Sequence, residues 1–389
     1  MNAERLGSAF DLLAAYGPGA GVYFERAGLG VAGGPPIERV APGDAQGRLR
    51  ELWPSGGVAA GALPCWDDPN ALLSIPDPAV TRRVAGPALR TALQDTLPEP
   101  IRPVAGGSPS SPFTAPQRHD LPSADAYARA VGAAIGRIDA GDVRKVVLAR
   151  TVEIEAGREL DPRRLAHRLR AVDPAAYAFA MPTERGVLVG ASPELLVSRS
   201  GTTVRSNPLA GSAARSGDPD EDRALGEALA ASAKDREEHA IVVDAIATAL
   251  RPLCRDLRWD REPVLLATPN VWHLSTRFEG ELREPAPTVV DLVAILHPTP
   301  AIAGAPTREA VALIRELEPF ERGAYAGPVG WIDADGDGVW AIALRCAELV
   351  GARAILAAGA GIVAGSRPEG EVEETERKFR AFLDALRWG

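Results

Sequence analysis

The chain has 389 residues, 46% of them hydrophobic, enough for one large domain or two ordinary ones. Its formal charge is −9 with no basic run, which argues against nucleic acid or an anionic membrane as the main partner. An anionic small molecule stays open, because a local Arg, Lys or metal can outweigh the mean field. Cys65, Cys254 and Cys346 are odd in number and widely spaced, so they read as free thiols in a reducing compartment. The first residues lack a signal-like apolar core, and no apolar run is long enough to span a bilayer. The expectation is a cytoplasmic protein, taken as a monomer.

Residues 1–98 are rich in Gly and Pro with short apolar runs such as Gly21-Val-Tyr-Phe24. They predict strands and loops with one short helix near 4–15. Residues 99–118 predict a linker or long loop. Ser123 then caps a helix whose apolar face is Tyr127, Val131, Ile135 and Ile138, with Gly141 as its stop. Residues 145–154 read as a strand, and Asp161-Pro162 opens another helix with proline at its first position.

Strands follow near 175–181, 187–190, 194–199 and 202–206, with Gly186 and Gly201 at turns. Helices are expected at 219–231 and 234–251, a strand at 271–280, and helices at 289–296 and 306–317. Strands 326–333 and 338–349 flank Asp333-Ala-Asp-Gly-Asp-Gly338. A strand at 353–364 and a helix from about 369 to 386 close the chain. Phe379, Phe382, Leu383 and Leu386 form that helix's buried face. Runs of strands between packed helices, without regular alternation, predict an α+β layered sandwich and not a doubly wound sheet. No short repeat is present.

Two motifs fail their context. Gly28-Leu-Gly-Val-Ala-Gly33 matches a dinucleotide fingerprint, but Gly34-Pro35-Pro36 follows where the fingerprint requires a helix. Asp333, Asp335, Asp337 and Gly338 resemble half a calcium loop, yet Leu344 stands at the twelfth position; a hairpin turn is the better reading. The five histidines lack zinc spacing, and no Gly-x-Ser-x-Gly elbow supports serine hydrolase chemistry.

Two acid pairs stand out at helical spacing: Asp235 with Glu238, and Glu371 with Glu374. Such pairs suit a hard, oxygen-liganded cation such as Mg²⁺. Acidic helix faces are also commonly solvated surface, and Glu369, Glu373 and Glu376 are read that way.

Several blocks hold together: Lys145-Val-Val-Leu-Ala-Arg150, Gly190-Ala-Ser-Pro-Glu194, Pro208-Leu-Ala-Gly-Ser212 and Lys234-Asp-Arg-Glu-Glu-His239. To these add Val271-Trp-His-Leu274, Leu296-His-Pro-Thr-Pro-Ala301, Tyr325-Ala-Gly-Pro-Val-Gly-Trp331 and the tail segment 359–376. In this order they resemble the chorismate-utilising enzymes, over about residues 120–388. That family includes isochorismate, salicylate, anthranilate and aminodeoxychorismate synthases. The resemblance implies a single α+β domain, two large antiparallel sheets packed as a sandwich with helices outside. Residues 1–118 would be its variable N-terminal part and 119–389 its chorismate-binding catalytic region.

The resemblance also implies a site. Glu238 and Glu374 would ligate Mg²⁺, with Asp235 and Glu371 nearby through water or as added ligands. Arg345, placed by strand alternation on the face of Val339, Ala341 and Ala343, would hold the pyruvyl carboxylate of chorismate. Tyr325 and backbone amides near Gly359 and Gly361 would assist. An internal acid as the partner of Arg345 is the other reading. Gly211 would offer a backbone N–H to the ring carboxylate, and His273 would sit against the ring or be a satisfied core histidine.

Lys145 and Ala301 discriminate within the family. By resemblance, the water-using members carry lysine at 145, where ammonia-using members carry glutamine. Lys145 would be the base that activates water, and Glu194 the acid that protonates the departing hydroxyl. A surface lysine at a strand start is the plain alternative. Threonine at 301 accompanies pyruvate elimination, whereas alanine accompanies isochorismate formation. Isochorismate synthase, feeding a 2,3-dihydroxybenzoate or salicylate siderophore or menaquinone, is therefore the expectation. Salicylate synthase is second and an amino-transferring synthase third. A non-catalytic anion-binding relative would predict damage to Lys145, Glu194 or the metal acids, and none is damaged.

Overall fold

Two-residue periodicity sorts side chains by size in the strand Tyr177–Pro182. Tyr177, Phe179 and Met181 enter the interior between two sheets, while Ala178 and Ala180 face helices outside. Small residues on the outer face let a helix seat close to the sheet; Ala347, Ala354 and Ala358 repeat the device. The computed structural model describes residues 16, 21–26, 29–53, 57–66, 68, 71–76, 81–84 and 117–387. The helix expected near 4–15 lies outside the described residues. So does the linker at 99–118, except for 117–118, which begin the strand Gln117–Leu121.

Among the described residues a ten-stranded and a nine-stranded antiparallel sheet face each other, as expected, with a separate three-stranded sheet. The long strands Lys145–Glu155 and Arg353–Val363 pair along their full length, from Lys145 opposite Val363 to Glu155 opposite Arg353. The early strands enter both sheets: Val22–Arg26 pairs with Tyr177–Pro182, and Val58–Ala62 with Pro328–Asp333. The main core between the sheets includes Trp331, Trp340, Phe179 and Phe278. Helices Pro162–Val172 and Pro368–Arg387 cover the ten-stranded sheet through Leu165, Leu169, Phe379 and Phe382. Helices Ala124–Asp139 and Thr307–Leu317 pack beside them through Tyr127, Val131, Leu313 and Ile314.

Local signals set many of these boundaries. Ser123 Oγ accepts from Ala126 N, and Gly141 adopts φ +83° just past the helix. Asp161 accepts from the amides of Arg163 and Arg164. Asp333 Oδ1 accepts from the amides of Asp335 and Asp337, making the acidic loop a hairpin turn. Leu29–Gly33 is a strand, and no helix follows the glycine fingerprint. Helix Ala45–Leu52 was not expected; it buries only Ala45 and Leu49, too little to leave a periodic signature.

Two expected strands are each broken in two. The 271–280 segment is Val271–Ser275 in the small sheet and Phe278–Leu282 in the nine-stranded sheet. The 338–349 segment is Gly338–Ile342 in the nine-stranded sheet and Cys346–Val350 in the ten-stranded one. Alternation therefore does not place Arg345, which sits between the two strands with φ +51°. Two further corners follow the same plan. The chain changes sheet at Pro193–Glu194, between Val187–Ser192 and Leu195–Ser200, and at Pro208, between Thr203–Asn207 and Leu209–Ala214. These corners converge on one cleft.

Candidate active site

The cleft encloses about 630 Å³ of free space, its solvent-open mouth included. Glu194, Gly211, His273, Ala301, Tyr325, Arg345, Gly359, Gly361, Glu238 and Glu374 all line it. Lys145 stands one layer behind, fully buried, with Nζ 3.0 Å from Glu238 Oε1. That contact lacks hydrogen-bond geometry, so the Lys145 nitrogen is left without a hydrogen-bond partner. Asp235 and Glu371 do not line the cleft; they lie beside it on the helices Ala233–Leu250 and Pro368–Arg387.

Each corner contributes one group. Glu194 is 3% exposed and its backbone carbonyl accepts from Ile342 N. Burial pushes its carboxyl up to about 7, against the pull of the Leu209 amide and of Lys145, Arg345 and Lys378. Among the described residues no cation pairs with it. Gly211 is the extra residue of a bulge between Ala210 and Ser212, which takes it out of the ladder. It has φ +72°, and a Cβ there would stand 3.0 Å from Asp235 Cβ.

His273 links two of these corners. Its Nδ1 lies 3.2 Å from the Gly211 carbonyl and its Nε2 3.0 Å from Arg345 Nη2. One tautomer fits both contacts: Nδ1–H donates to the carbonyl and Nε2 accepts from the guanidinium. Burial and then Arg345 hold the imidazole well below its ordinary value, so it stays neutral. His273 thus orients Arg345. Ala326 and Arg345 are the positive-φ non-glycine residues among those described, and both line the cleft. Ala326 N donates to Ala343 O at 2.9 Å, tying the two strained turns together.

The opposite wall is carboxylate-rich. Glu238, Glu371 and Glu374 each contact a lysine: Lys145 at 3.0 Å, Lys234 at 3.2 Å and Lys378 at 2.5 Å. Burial and Glu374 raise Glu371 above the usual glutamate range. Burial acts on Glu374 too, but Lys378 and Ser212 outweigh it and hold Glu374 below that range. Asp235 is raised by burial and by Glu238 and Glu374, against its bond to Ser232. Among the described residues no three acids, histidines or cysteines meet at metal-ligand spacing. The four carboxylates nevertheless press on one another from two helices, a repulsion that a hard cation relieves. Gly361 leaves them room, since a Cβ there would fall 2.2 Å from Glu238 Oε1.

Lys378, Arg322 and Ser212 line the cleft and were not singled out from the sequence. Lys378 Nζ donates to Gly359 O at 2.8 Å as well as to Glu374. Its spacing of four from Glu374 was available as a signal, but such pairs read first as solvated helix surface. Glu376, expected to be solvated, instead pairs with Arg118 and with the buried Arg150.

The family model described as chorismate binding enzyme matches residues 98–387. Isochorismate synthase DhbC of Bacillus subtilis is 45% identical over 273 residues, 68% of this chain and 69% of that protein. Isochorismate synthase EntC of Escherichia coli K12 is 41% identical over 271 residues, 69% of each. The crystal structure of DhbC from Bacillus anthracis superposes with a TM-score of 0.85 at 35% identity, covering 97% of this chain and 99% of that one. With a cleft assembled from the same blocks and the match spanning most of its length, the chain belongs to the chorismate-binding enzyme family.

Proposed function

We propose that this protein is an isochorismate synthase: it adds water at ring C2 of chorismate and expels the C4 hydroxyl. The observation that carries the reading is a pair of buried groups with opposite tasks. Lys145 is a buried amine behind one wall, and Glu194 is a carboxyl that keeps its proton up to about pH 7 in the other. Lys145, as the neutral amine, takes a proton from water as the oxygen bonds to C2. The ring double bonds shift and the C4–O bond breaks. Glu194 gives its proton to the departing hydroxide, which leaves as water. One water enters and one leaves, so the net change is an isomerisation.

Arg345, held by His273, would pair with the pyruvyl carboxylate, beside Tyr325, Gly359 and Gly361. Gly211 would meet the ring carboxylate. Glu238 and Glu374 would hold Mg²⁺, with Asp235 and Glu371 next to them; the ion, when bound, supplies Lewis-acid neutralisation of the ring carboxylate. Ala301 lines the cleft, where by family resemblance alanine accompanies isochorismate formation and threonine the loss of pyruvate.

Incubation with chorismate and Mg²⁺ in ¹⁸O-labelled water tests this. Isochorismate carrying one label, without pyruvate, is expected. Stoichiometric pyruvate with salicylate would move the protein to salicylate synthase, and product only with ammonia to the amino-transferring synthases. No helix among the described residues is long and apolar enough to cross a membrane, which is consistent with action on a cytoplasmic metabolite. Delivery of the product to 2,3-dihydroxybenzoate or salicylate siderophore assembly is tested by the siderophore output of a deletion strain under iron limitation.

A further inference from the structure

The strand that carries Lys145 has a gap along one edge. Gly304–Ala305 pairs with Lys145 and Val146, and Gln117–Leu121 pairs with residues 151–155. Between these partners Val147 N donates to Ala303 O at 2.8 Å, and two side chains supply further hydrogen bonds. Arg322 Nη2 donates to Val147 O at 2.8 Å, and Ala149 N donates to Glu318 Oε1 at 2.8 Å. Arg322 and Glu318 also bind each other through two contacts, at 2.5 and 2.9 Å. The remaining arm of Arg322 donates to Ile302 O at 3.0 Å, next to Ala301. Both side chains are almost fully buried, and the guanidinium lies 5.1 Å from the Trp66 ring centroid.

A side-chain pair therefore does the bonding that another strand would do, without a strand's bulk. The gap lies opposite Gly359 and Gly361, where the cleft needs its space. Stability alone does not call for an ion pair here, because an apolar pair of similar volume is commonly as stable. The bidentate fork supplies fixed geometry.

We propose that Glu318 and Arg322 are positioning residues: they fix the Lys145 strand against the Ala301 loop and so set the base relative to the ring. The alignment of base and ring rests on the isochorismate synthase reading; the clamp itself does not. Neither residue delivers a proton or touches the reacting carbons in this account.

Two variants test it. Arg322→Lys keeps the charge and loses the fork. The double variant Glu318→Gln with Arg322→Gln leaves no charge unpaired, which favours retention of the fold. In both, kcat for isochorismate formation should fall about 10- to 100-fold, as expected for a base displaced by roughly an ångström. KM for chorismate should change by less than about threefold, since the carboxylate-binding groups are untouched. Amide exchange at Ala149 should speed up in the double variant while the circular dichroism stays native. Unchanged kcat in a folded variant would overturn the proposal. So would loss of native structure in both variants, which would make the pair a stability element. If the wild type formed no isochorismate, the functional reading would fall, while Ala149 exchange would still report on the clamp.

Discussion

Glu374 and Glu194 stand on opposite walls of the cleft and reach opposite electrostatic results. On the helix wall, Glu238 and Glu374 each touch a lysine, and Glu374 is held below the ordinary glutamate range by Lys378 and Ser212 despite its burial. On the corner wall, Glu194 has a backbone amide and more distant cations, and burial wins: its carboxyl rises to about 7. Burial alone therefore does not decide ionisation: Lys378 and Ser212 together lower Glu374, whereas Glu371 stays raised although Lys234 touches it. One wall keeps a carboxylate ionised, and the other keeps a proton on its carboxyl.

Lys145→Gln should cost the most activity. It removes the proposed base and leaves Glu238 unpaired. Isochorismate formation should fall about 10³-fold or more while circular dichroism stays native. Retained turnover would remove Lys145 from the mechanism. Glu194→Gln comes next, with a loss of about 10²- to 10³-fold in kcat. In the wild type, kcat/KM should decline as pH rises through about 7, because Glu194 then loses the proton it must donate. The variant's residual rate should lack that decline; its persistence would assign the limb to another group.

Gly361→Ala sharpens the comparison from the other side. Its Cβ would stand 2.2 Å from Glu238 Oε1, so the carboxylate must move. A kcat loss of about 10²-fold is expected, against a stability cost of roughly 1–3 kcal/mol for overpacking. Normal activity would mean that Glu238 need not stay where it is. Glu374→Gln should weaken the apparent Mg²⁺ affinity in activity titrations by about tenfold, within the range expected for loss of one contact near a metal; an unchanged titration would remove it as a ligand.

A separate effect falls on stability. Between the ordinary glutamate value of 4.5 and about 7, the folded protein holds a proton on Glu194 that the unfolded chain has released. Raising pH through that window should therefore destabilise the wild type relative to Glu194→Gln, by up to roughly 3 kcal/mol. Parallel chemical-denaturation curves at the two ends of the window would check the sign.

The sequence carried the site better than it carried the sheets. Capped helices such as Ala124–Asp139 and Pro162–Val172 were legible because their end signals are local. The pairing of Val22–Arg26 with Tyr177–Pro182 was not, since no local pattern records a contact about 150 residues apart. Both strands read as continuous, 271–280 and 338–349, turn out to be corners where the chain changes sheet. Arg345 marks one of them with a left-handed backbone that its side chain does not advertise. The identities of the site residues were legible through the family resemblance. Their mutual arrangement, including the hold of His273 on Arg345 and of Arg322 on the Lys145 strand, became readable only in three dimensions. Lys378 and Arg322 were passed over because a charge spaced four residues from its partner looks like surface until burial is known.

The most direct measurement is an infrared difference titration of the protein against Glu194→Gln across the neutral range. A protonated-carboxyl band is expected in the wild type, missing from the variant and vanishing as pH rises through about 7. Identical spectra below that pH would mean that Glu194 is already ionised, and would contradict its role as the proton donor.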